Sequence, residues 1–240
     1  MPPETLDFGR RSQLTELMDE PSSRAEMRAC LEDIAKVNRW LLGYRPLLAW
    51  FTSLALPPRA KRIHIVDVGS GYGDSLRRIE RWASEHSIAV ELTGIDLNPD
   101  AVAIAAEASP ATSNIEWICR DVFAYVPDKP IDIVISSLFT HHLSDGDVVR
   151  FLRWMEAHSR LGWFINDLSR NAVPYYSFKL FAKVTGMHPF VQHDGPVSVA
   201  RAFVRSDWQT MCAAAGINSR DVAIQGYTPG RLCVGRRKPQ

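Results

Sequence analysis

Residues 66–74 read VDVGSGYGD, and this stretch decides the fold. A β-branched run over 62–68 leads into it, and a helical pattern over 74–86 follows. The stretch therefore predicts a strand, a tight turn and a helix, and an open α/β sheet binds its ligands at such a turn. Glycine lets the backbone turn sharply and lets a ligand approach closely. The turn contains three alternating glycines: Gly69, Gly71 and Gly73.

Strand and helix patterns alternate after this turn. Further strands are predicted at 90–95, 115–119, 131–136 and 163–168, with helical patterns between them. Such alternation predicts parallel β-α-β units. A helix capped by Ser206 is predicted next, followed by two strands at 222–227 and 232–236. Only residues 228–230 join these two strands, which is too short for a crossover helix, so we expect them to be antiparallel.

The chain divides into a helical N-terminal cap over 1–58 and an α/β domain over 59–240, with an insertion at about 169–205. In the cap, Ser23 and Glu26 have the spacing of a capping box and predict the start of a helix. The insertion is rich in aromatic residues and lacks a regular hydrophobic period, so we predict that it forms a lid and part of a ligand pocket.

Composition excludes several classes of protein. The 240 residues carry a net charge of +1, are 46% hydrophobic and are 23% charged, which is not the composition of a disordered chain. With 28 basic and 27 acidic residues there is no broad positive field, so nucleic acid is not an expected partner. We find no apolar run that could span a bilayer and no secretory signal. The scattered cysteines favour a reducing cytoplasm and predict no metal site. They are Cys30, Cys119, Cys212 and Cys233.

The charges around the glycine turn indicate which ligand it binds. The spacing is G-x-G-x-G rather than the dinucleotide pattern G-x-G-x-x-G, and no Gly-Lys-Ser/Thr of a P-loop follows. Asp67 precedes the glycines and Asp74 follows them, and two carboxylates repel a pyrophosphate at a helix N-terminus. The same carboxylates favour a cationic ligand without phosphate, and S-adenosylmethionine has that chemistry.

Acidic residues also end the next two predicted strands. Asp96, in GIDLNPD, is placed to accept hydrogen bonds from ribose hydroxyls. Asp121, in CRDVFAY, is placed to accept from an adenine amino group while the Val122 amide donates to the ring. Together with Asp67, the series predicts one nucleoside site along the carboxyl edge of the sheet.

The ordered motifs VDVGSGYG, GIDLNP, RDVFAY and IDIVISSLFTHH resemble those of class I S-adenosylmethionine-dependent methyltransferases over roughly residues 60–168. The resemblance implies an α/β, Rossmann-like sheet of seven mostly parallel strands with an antiparallel last strand. It also implies S-adenosylmethionine as cofactor and S-adenosylhomocysteine as product. By the same resemblance, Ser70, Leu97 and Ser137 are expected to complete the cofactor site. Within the family, the chain is most similar to bacterial enzymes that methylate quinone precursors or polyketide-derived phenols.

Three histidines are candidates for a general base. His141 and His142 follow the fourth predicted strand at the ligand edge, and His142 is slightly preferred. His193 lies in the insertion, beside an aspartate. A phenol has a pKa near 10, so a base helps it to become a nucleophile at neutral pH, and histidine suits that task. Asn166 and Asp167 end the fifth strand, where they either position a polar acceptor or cap the backbone.

Aromatic residues of the cap and the insertion are expected around the acceptor, although core packing explains many of them equally well. The aromatic candidates are Trp40, Tyr44, Trp50, Phe51, Tyr175, Tyr176, Phe178, Phe181 and Phe190, with Gly186 and Gly195 as flexible points. Three arginines are candidates for an anionic group of the substrate or for surface ion pairs: Arg39, Arg45 and Arg201.

The expected function is O-methylation of a small, aromatic or polyketide-derived acceptor with a histidine as general base. C-methylation of a quinone or phenol ring, with the same histidine removing a proton, stays open. So does a non-catalytic protein that only binds the cofactor. We expect a monomer or a homodimer that works on a small-molecule acceptor, with neither a nucleic acid nor a membrane span.

Overall fold

The computed structural model describes residues 7–54, 56 and 62–239. Its core is a seven-stranded sheet in the order β3-β2-β1-β4-β5-β7-β6. The strands are β1 Ile63–Val68, β2 Val90–Asp96, β3 Ile115–Cys119, β4 Ile131–Ser137, β5 Ser159–Leu168, β6 Val222–Tyr227 and β7 Arg231–Arg237. β7 enters antiparallel between β5 and β6. The predicted Rossmann-like fold with an antiparallel last strand is therefore confirmed.

Helices cover both faces of this sheet. In the described part of the chain they are α1 Arg24–Trp40, α2 Arg45–Ser53, α3 Asp74–Glu85, α4 Pro99–Glu107, α5 Asp145–His158, α6 Ala172–Val184, α7 Pro189–Arg201 and α8 Arg205–Ala214. Short 3₁₀ turns lie at Leu17–Asp19, Val122–Ala124, Thr140–His142 and Ser219–Asp221. None of the helices that the structure describes is long and apolar enough to cross a membrane.

Strand order places the site. From β1 the chain continues to β2 and β3, which lie on one side of β1 within the sheet. It then returns to β4, which lies on the other side of β1. β1 and β4 are buried along almost their whole length, as their apolar sequences require. A crevice opens where the strand order reverses, outside the carboxyl ends of β1 and β4. The glycine turn and the histidine pair follow these two strands.

The N-terminal helices form largely as the sequence predicts. Ser23 and Glu26 make the capping box that begins α1, and Pro46 lies in the first turn of α2. Pro57 and Pro58, predicted to close this region, lie outside the described residues. The expectation that Trp50 lines the acceptor pocket is wrong, because its ring stacks on Phe164 of β5 at 5.2 Å in the core.

Phe51 belongs to the same core, since it packs on Trp82 of α3 with ring centroids 5.4 Å apart. Trp50 and Phe51, which were candidates for the acceptor pocket, are therefore buried in the hydrophobic core against the sheet. Residue type alone predicts that such rings are buried, and only the fold decides which surface covers them.

The insertion differs from the prediction because it consists of two helices, α6 and α7, although its sequence shows no clean period. Gly195 lies inside α7, where a side chain would overlap the ring of Phe178, so it serves close packing rather than flexibility. The predicted Ser206 cap is also wrong. The N-cap is Val204, two residues earlier, and the Asp207 side chain accepts a hydrogen bond from the Val204 amide at 2.9 Å.

Candidate functional site

A cavity of about 1260 Å³ lies between the carboxyl edge of the sheet, α1 and the insertion. A drug-sized ligand occupies a pocket of roughly 300–1000 Å³, so this cavity has room for a cofactor and an acceptor. Its lining includes these predicted cofactor residues: Asp67, Gly69, Ser70, Gly71, Asp96, Leu97, Asp121, Val122 and Ser137. Gly73 lies outside the lining, and so does His193.

Two constraints explain the glycines of this turn: positive φ angles and the lack of space for a side chain. Gly69 and Gly73 have φ angles of 68° and 74°, a region that L side chains rarely adopt. A Cβ at Gly69 would lie 2.5 Å from the ring of Phe139, and one at Gly73 would overlap the Trp117 ring. Gly73 therefore allows the start of α3 to pack closely against Trp117 of β3. It supports the glycine turn without lining the cavity itself.

Asp67 places an uncompensated carboxyl at the floor of the cavity. It is 1% exposed, and its Oδ1 has no hydrogen-bond partner in the part of the chain that the structure describes. Burial raises the pKa of Asp67 well above its usual range, and the nearby Asp74 and Asp96 raise it further. A buried, unpaired carboxyl is costly, so its position indicates a ligand that brings a positive charge or a donor.

Two serine hydroxyls are in the same situation. The Oγ atoms of Ser70 and Ser137 are buried and without a partner among the described residues, and both residues line the cavity. With Asp67 they offer acceptors and donors that protein groups leave unused. These atoms fit the hydrogen-bonding groups of S-adenosylmethionine, which combines an ammonium, a ribose and an adenine.

Asp96 is tied to the backbone on both sides. Its Oδ2 accepts from the Gly71 amide at 2.8 Å, and its Oδ1 accepts from the Asn98 amide at 3.0 Å. Burial raises the pKa of Asp96, and these two backbone bonds oppose that shift. Asp121 begins a 3₁₀ turn by accepting from the Phe123 amide at 2.9 Å. Both carboxylates are therefore held in fixed positions along the cavity.

Asp74 connects the glycine turn to the N-terminal cap. Its Oδ2 accepts from the Tyr44 hydroxyl at 2.5 Å and from Asn38 Nδ2 at 3.1 Å. Asn38 in turn accepts from the buried guanidinium of Arg231 at 2.5 Å. Arg231 lines the cavity and was missed from the sequence, because nothing near it in the chain distinguishes it from an ordinary strand residue. Asp74 is thus already paired, unlike Asp67.

His141 is oriented by a buried carboxylate. It is 3% exposed, its partner Asp167 is fully buried, and its Nδ1 lies 2.7 Å from Asp167 Oδ1. Asp167 also accepts from the His141 amide at 3.1 Å, from the Leu168 amide at 2.7 Å and from the Thr140 hydroxyl. The contact with His141 and these hydrogen bonds together hold the pKa of Asp167 below its usual range despite its burial. The carboxylate therefore stays charged and fixes the ring.

His142 lies beside it with a looser partner. Its Nδ1 is 3.3 Å from Asp19 Oδ1, and the two histidine rings are 4.4 Å apart. The Nε2 atoms of both rings point at Glu16, which is 2% exposed. Sequence reasoning missed Glu16 and Asp19, because both belong to an N-terminal segment without helical periodicity. No local signal separates them from surface acids.

Two residues of α7 hold this segment in place. Asp194 accepts from the Leu17 and Met18 amides at 2.7 and 3.0 Å. Arg201 donates to Asp19 at 3.0 Å and to the His142 carbonyl at 3.2 Å. Arg201, a candidate for binding an anionic substrate group, is therefore committed to an internal ion pair.

The structure does not bring His193 to the other two histidines. Its side chain is 49% exposed, and its Nδ1 is 2.7 Å from Asp194 Oδ1. Phe178 and Phe181 of the insertion line the cavity as predicted, whereas Tyr175 packs on Phe8 at 5.5 Å. Apolar side chains of α1 complete the wall above the histidines: Met27, Leu31, Ile34 and Val37.

Part of the chain is similar in sequence to known methyltransferases. Residues 65–162 match a family model described as a methyltransferase domain. A stretch of 87 residues, 36% of the chain, is 31% identical to trans-aconitate 2-methyltransferase from Klebsiella pneumoniae (strain 342), and the match spans 31% of that relative's length.

Solved structures share the fold. The plantazolicin methyltransferase BpumL in complex with SAH superposes with a TM-score of 0.61 over 89% of this chain and 96% of that chain, at 13% identity. Human N-acetylserotonin methyltransferase in complex with SAM superposes with a TM-score of 0.62 over 91% of this chain and 57% of that chain, at 16% identity. The matched family model runs from β1 into β5, and the chain completes the same sheet with the inserted antiparallel strand. The chain thus contains a region similar to a methyltransferase domain, within a fold that it shares with these solved methyltransferase structures.

Proposed function

We propose that the protein methylates a hydroxyl group of a small, apolar, aromatic acceptor and that His141 takes the hydroxyl proton. The buried His141–Asp167 pair in the cavity wall carries this proposal. A carboxylate on Nδ1 fixes the tautomer in which Nε2 has the free lone pair, as a general base requires. Sequence reasoning slightly preferred His142, but its partner Asp19 is 39% exposed and lies farther away, at 3.3 Å.

The cofactor end of the cavity is defined by the unpaired acceptors. S-adenosylmethionine, when bound, supplies a methyl group on a positively charged sulfonium. Asp67 offers negative charge to a cationic group, Asp96 lies at the end of β2 for the ribose, and Asp121 with Val122 lies at the end of β3 for the adenine. A site without lysine or arginine in the glycine turn suits this ligand better than a nucleotide with phosphates.

The acceptor end lies under the insertion. Phe178 and Phe181 of α6 line the same cavity as apolar residues of α1 and the two histidines. Apolar walls exclude water and favour an aromatic acceptor, while a few polar groups orient it. A phenolic acceptor has a pKa near 10, which explains why a base belongs at this wall.

The decisive experiment combines labelled-methyl transfer to a panel of phenols and quinols with cofactor binding by calorimetry. We expect transfer to at least one hydroxyl acceptor. His141→Gln and Asp167→Asn should lower turnover by roughly a hundredfold or more and leave S-adenosylhomocysteine affinity within about threefold. His193→Gln is the matched control, because it removes an exposed histidine outside the cavity, and we expect wild-type turnover from it.

Three results would contradict the proposal. Cofactor binding without transfer to any acceptor would favour a non-catalytic protein. Transfer to a ring carbon alone would favour C-methylation. Wild-type turnover in the well-folded His141→Gln variant would remove His141 from the reaction.

A further inference from the structure

At the cavity wall, the Nε2 atoms of His141 and His142 face the carboxylate of Glu16. His141 Nε2 lies 3.8 Å from Glu16 Oε1, and His142 Nε2 lies 3.8 Å from Glu16 Oε2. The potential ligand atoms all lie within 4.8 Å of one another. Glu16 is 2% exposed, and its Oε1 has no hydrogen-bond partner anywhere in residues 7–54, 56 and 62–239.

Both imidazoles are held with the same nitrogen facing inward. Asp167 lies 2.7 Å from Nδ1 of His141, and Asp19 lies 3.3 Å from Nδ1 of His142. A neutral histidine that donates from Nδ1 has its lone pair on Nε2. The Nε2 lone pairs of the two histidines and the Glu16 carboxylate therefore point at one space. A cation in that space would be bound by all three groups. A carboxylate behind each ring is the usual outer shell of a histidine-bound metal.

The surrounding charges leave the cluster negative. The charged groups near the three side chains are Asp19, Asp96, Asp167, Asp194, Arg11 and Arg201. With Glu16 there are five carboxylates and two guanidiniums. Arg201 lies 3.6 Å from Glu16 Oε1, but it also binds Asp19 and backbone carbonyls. The negative excess remains, and it favours a cation.

We propose that Glu16, His141 and His142 bind one divalent transition-metal ion and that zinc matches them best. Two imidazole nitrogens and one carboxylate oxygen form a ligand set typical of zinc sites that keep an open position, whereas magnesium and calcium prefer oxygen ligands. Bonds of about 2.0–2.1 Å to a tetrahedral ion place ligand atoms about 3.3 Å apart. The two histidine–glutamate distances, each to a different oxygen of Glu16, must therefore shorten by about half an ångström. Any pair of ligand atoms at the outer limit of 4.8 Å must close by about 1.5 Å.

Metal binding has a consequence that rests on the proposed function. The ion occupies the Nε2 lone pair of His141, which is the lone pair that accepts the acceptor's proton. Bound zinc therefore inhibits methyl transfer, and its removal by a chelator restores activity. No covalent or redox step is involved, because the ion coordinates the free lone pair of Nε2 and so competes with the acceptor's proton for it.

Calorimetry with ZnCl₂ and visible absorption with CoCl₂ test the site directly on chelator-treated protein. We expect one ion per chain and an intense visible band from bound cobalt. Glu16→Gln and His142→Gln should each weaken metal binding by about tenfold or more. Substituting an outer-shell partner of a metal ligand typically costs about 10–100-fold in affinity, and these variants remove a ligand itself. His193→Gln and Cys119→Ser are matched controls that should bind as the wild type does, because they remove an exposed histidine and an exposed thiol outside the cluster.

Absence of stoichiometric binding, or binding that survives Glu16→Gln and His142→Gln, would overturn the site. Retained S-adenosylhomocysteine affinity shows that these variants are folded. Zinc that stimulates transfer would overturn the inhibitory role. Metal binding without any detectable methyl transfer would contradict the proposed function and leave the metal site intact, so the two failures are distinguishable.

Discussion

Replacing Asp67 by asparagine should stabilise the protein and weaken its cofactor binding at the same time. The carboxyl is buried and lacks a partner on Oδ1 among the described residues. Burial and the neighbouring Asp74 and Asp96 raise its pKa well above 3.8. A carboxyl whose pKa is raised in the folded state costs about 1.4 kcal/mol of stability for each unit of the shift, once the pH exceeds the folded pKa.

The sign of the pH dependence follows. Below about pH 4 the group is protonated in both the folded and unfolded states, so Asp67→Asn and wild type should be equally stable. As the pH rises toward the folded pKa, the wild type alone loses stability, and the gap opens. Each kcal/mol corresponds to about 2–4 °C in Tm for a chain of this size. We therefore expect the variant to melt several degrees higher at pH 7.5.

Cofactor binding should change in the opposite direction. A hydrogen bond to a charged group contributes about 1.5–3 kcal/mol, so its loss should weaken S-adenosylhomocysteine binding by about 10- to 150-fold. Asp74→Asn is the matched control. Asp74 is already paired with Tyr44 and Asn38, so its replacement should lower Tm and affect affinity less.

Thermal melts from pH 4 to 8 and calorimetry with S-adenosylhomocysteine measure both effects. An Asp67→Asn variant no more stable than wild type at pH 7.5 would show that the buried carboxyl does not cost stability. An affinity within twofold of wild type would show that Asp67 does not contact the cofactor.

Further substitutions test the packing behind the site. Gly73→Ala should cost about 2–5 kcal/mol by urea denaturation, because it adds a clash with Trp117 to the left-handed backbone conformation. Gly71→Ala should cost only about 1–2 kcal/mol, since its Cβ would meet Leu31 at 3.6 Å, an ordinary contact; equal costs would contradict the role given to Trp117. Asp194→Ala removes two amide hydrogen bonds from the turn at 17–19 and should cost about 3 kcal/mol or more, with faster proteolysis near that turn; unchanged proteolysis would show that the turn is held elsewhere.

The sequence by itself determined the order of the strands and helices and the edge of the sheet at which the cavity opens. Hydrophobic runs are local signals, so β3 and β6 have the predicted bounds. Parallel strands place their carboxyl ends at one edge, which is why Asp67, Asp96 and Asp121 line one cavity. The short connection after β6 required an antiparallel neighbour. No long-range contact was needed for any of these inferences.

Tertiary structure alone decided the acceptor side. Glu16 and Asp19 reach His141 and His142 because Asp194 and Arg201 of α7 hold their turn, and these contacts join segments far apart in the chain. The core position of Trp50 and the exposure of His193 likewise depend on which surfaces the folded sheet presents. Sequence patterns report local conformation and burial, whereas the partner of a polar side chain is set by packing between distant elements.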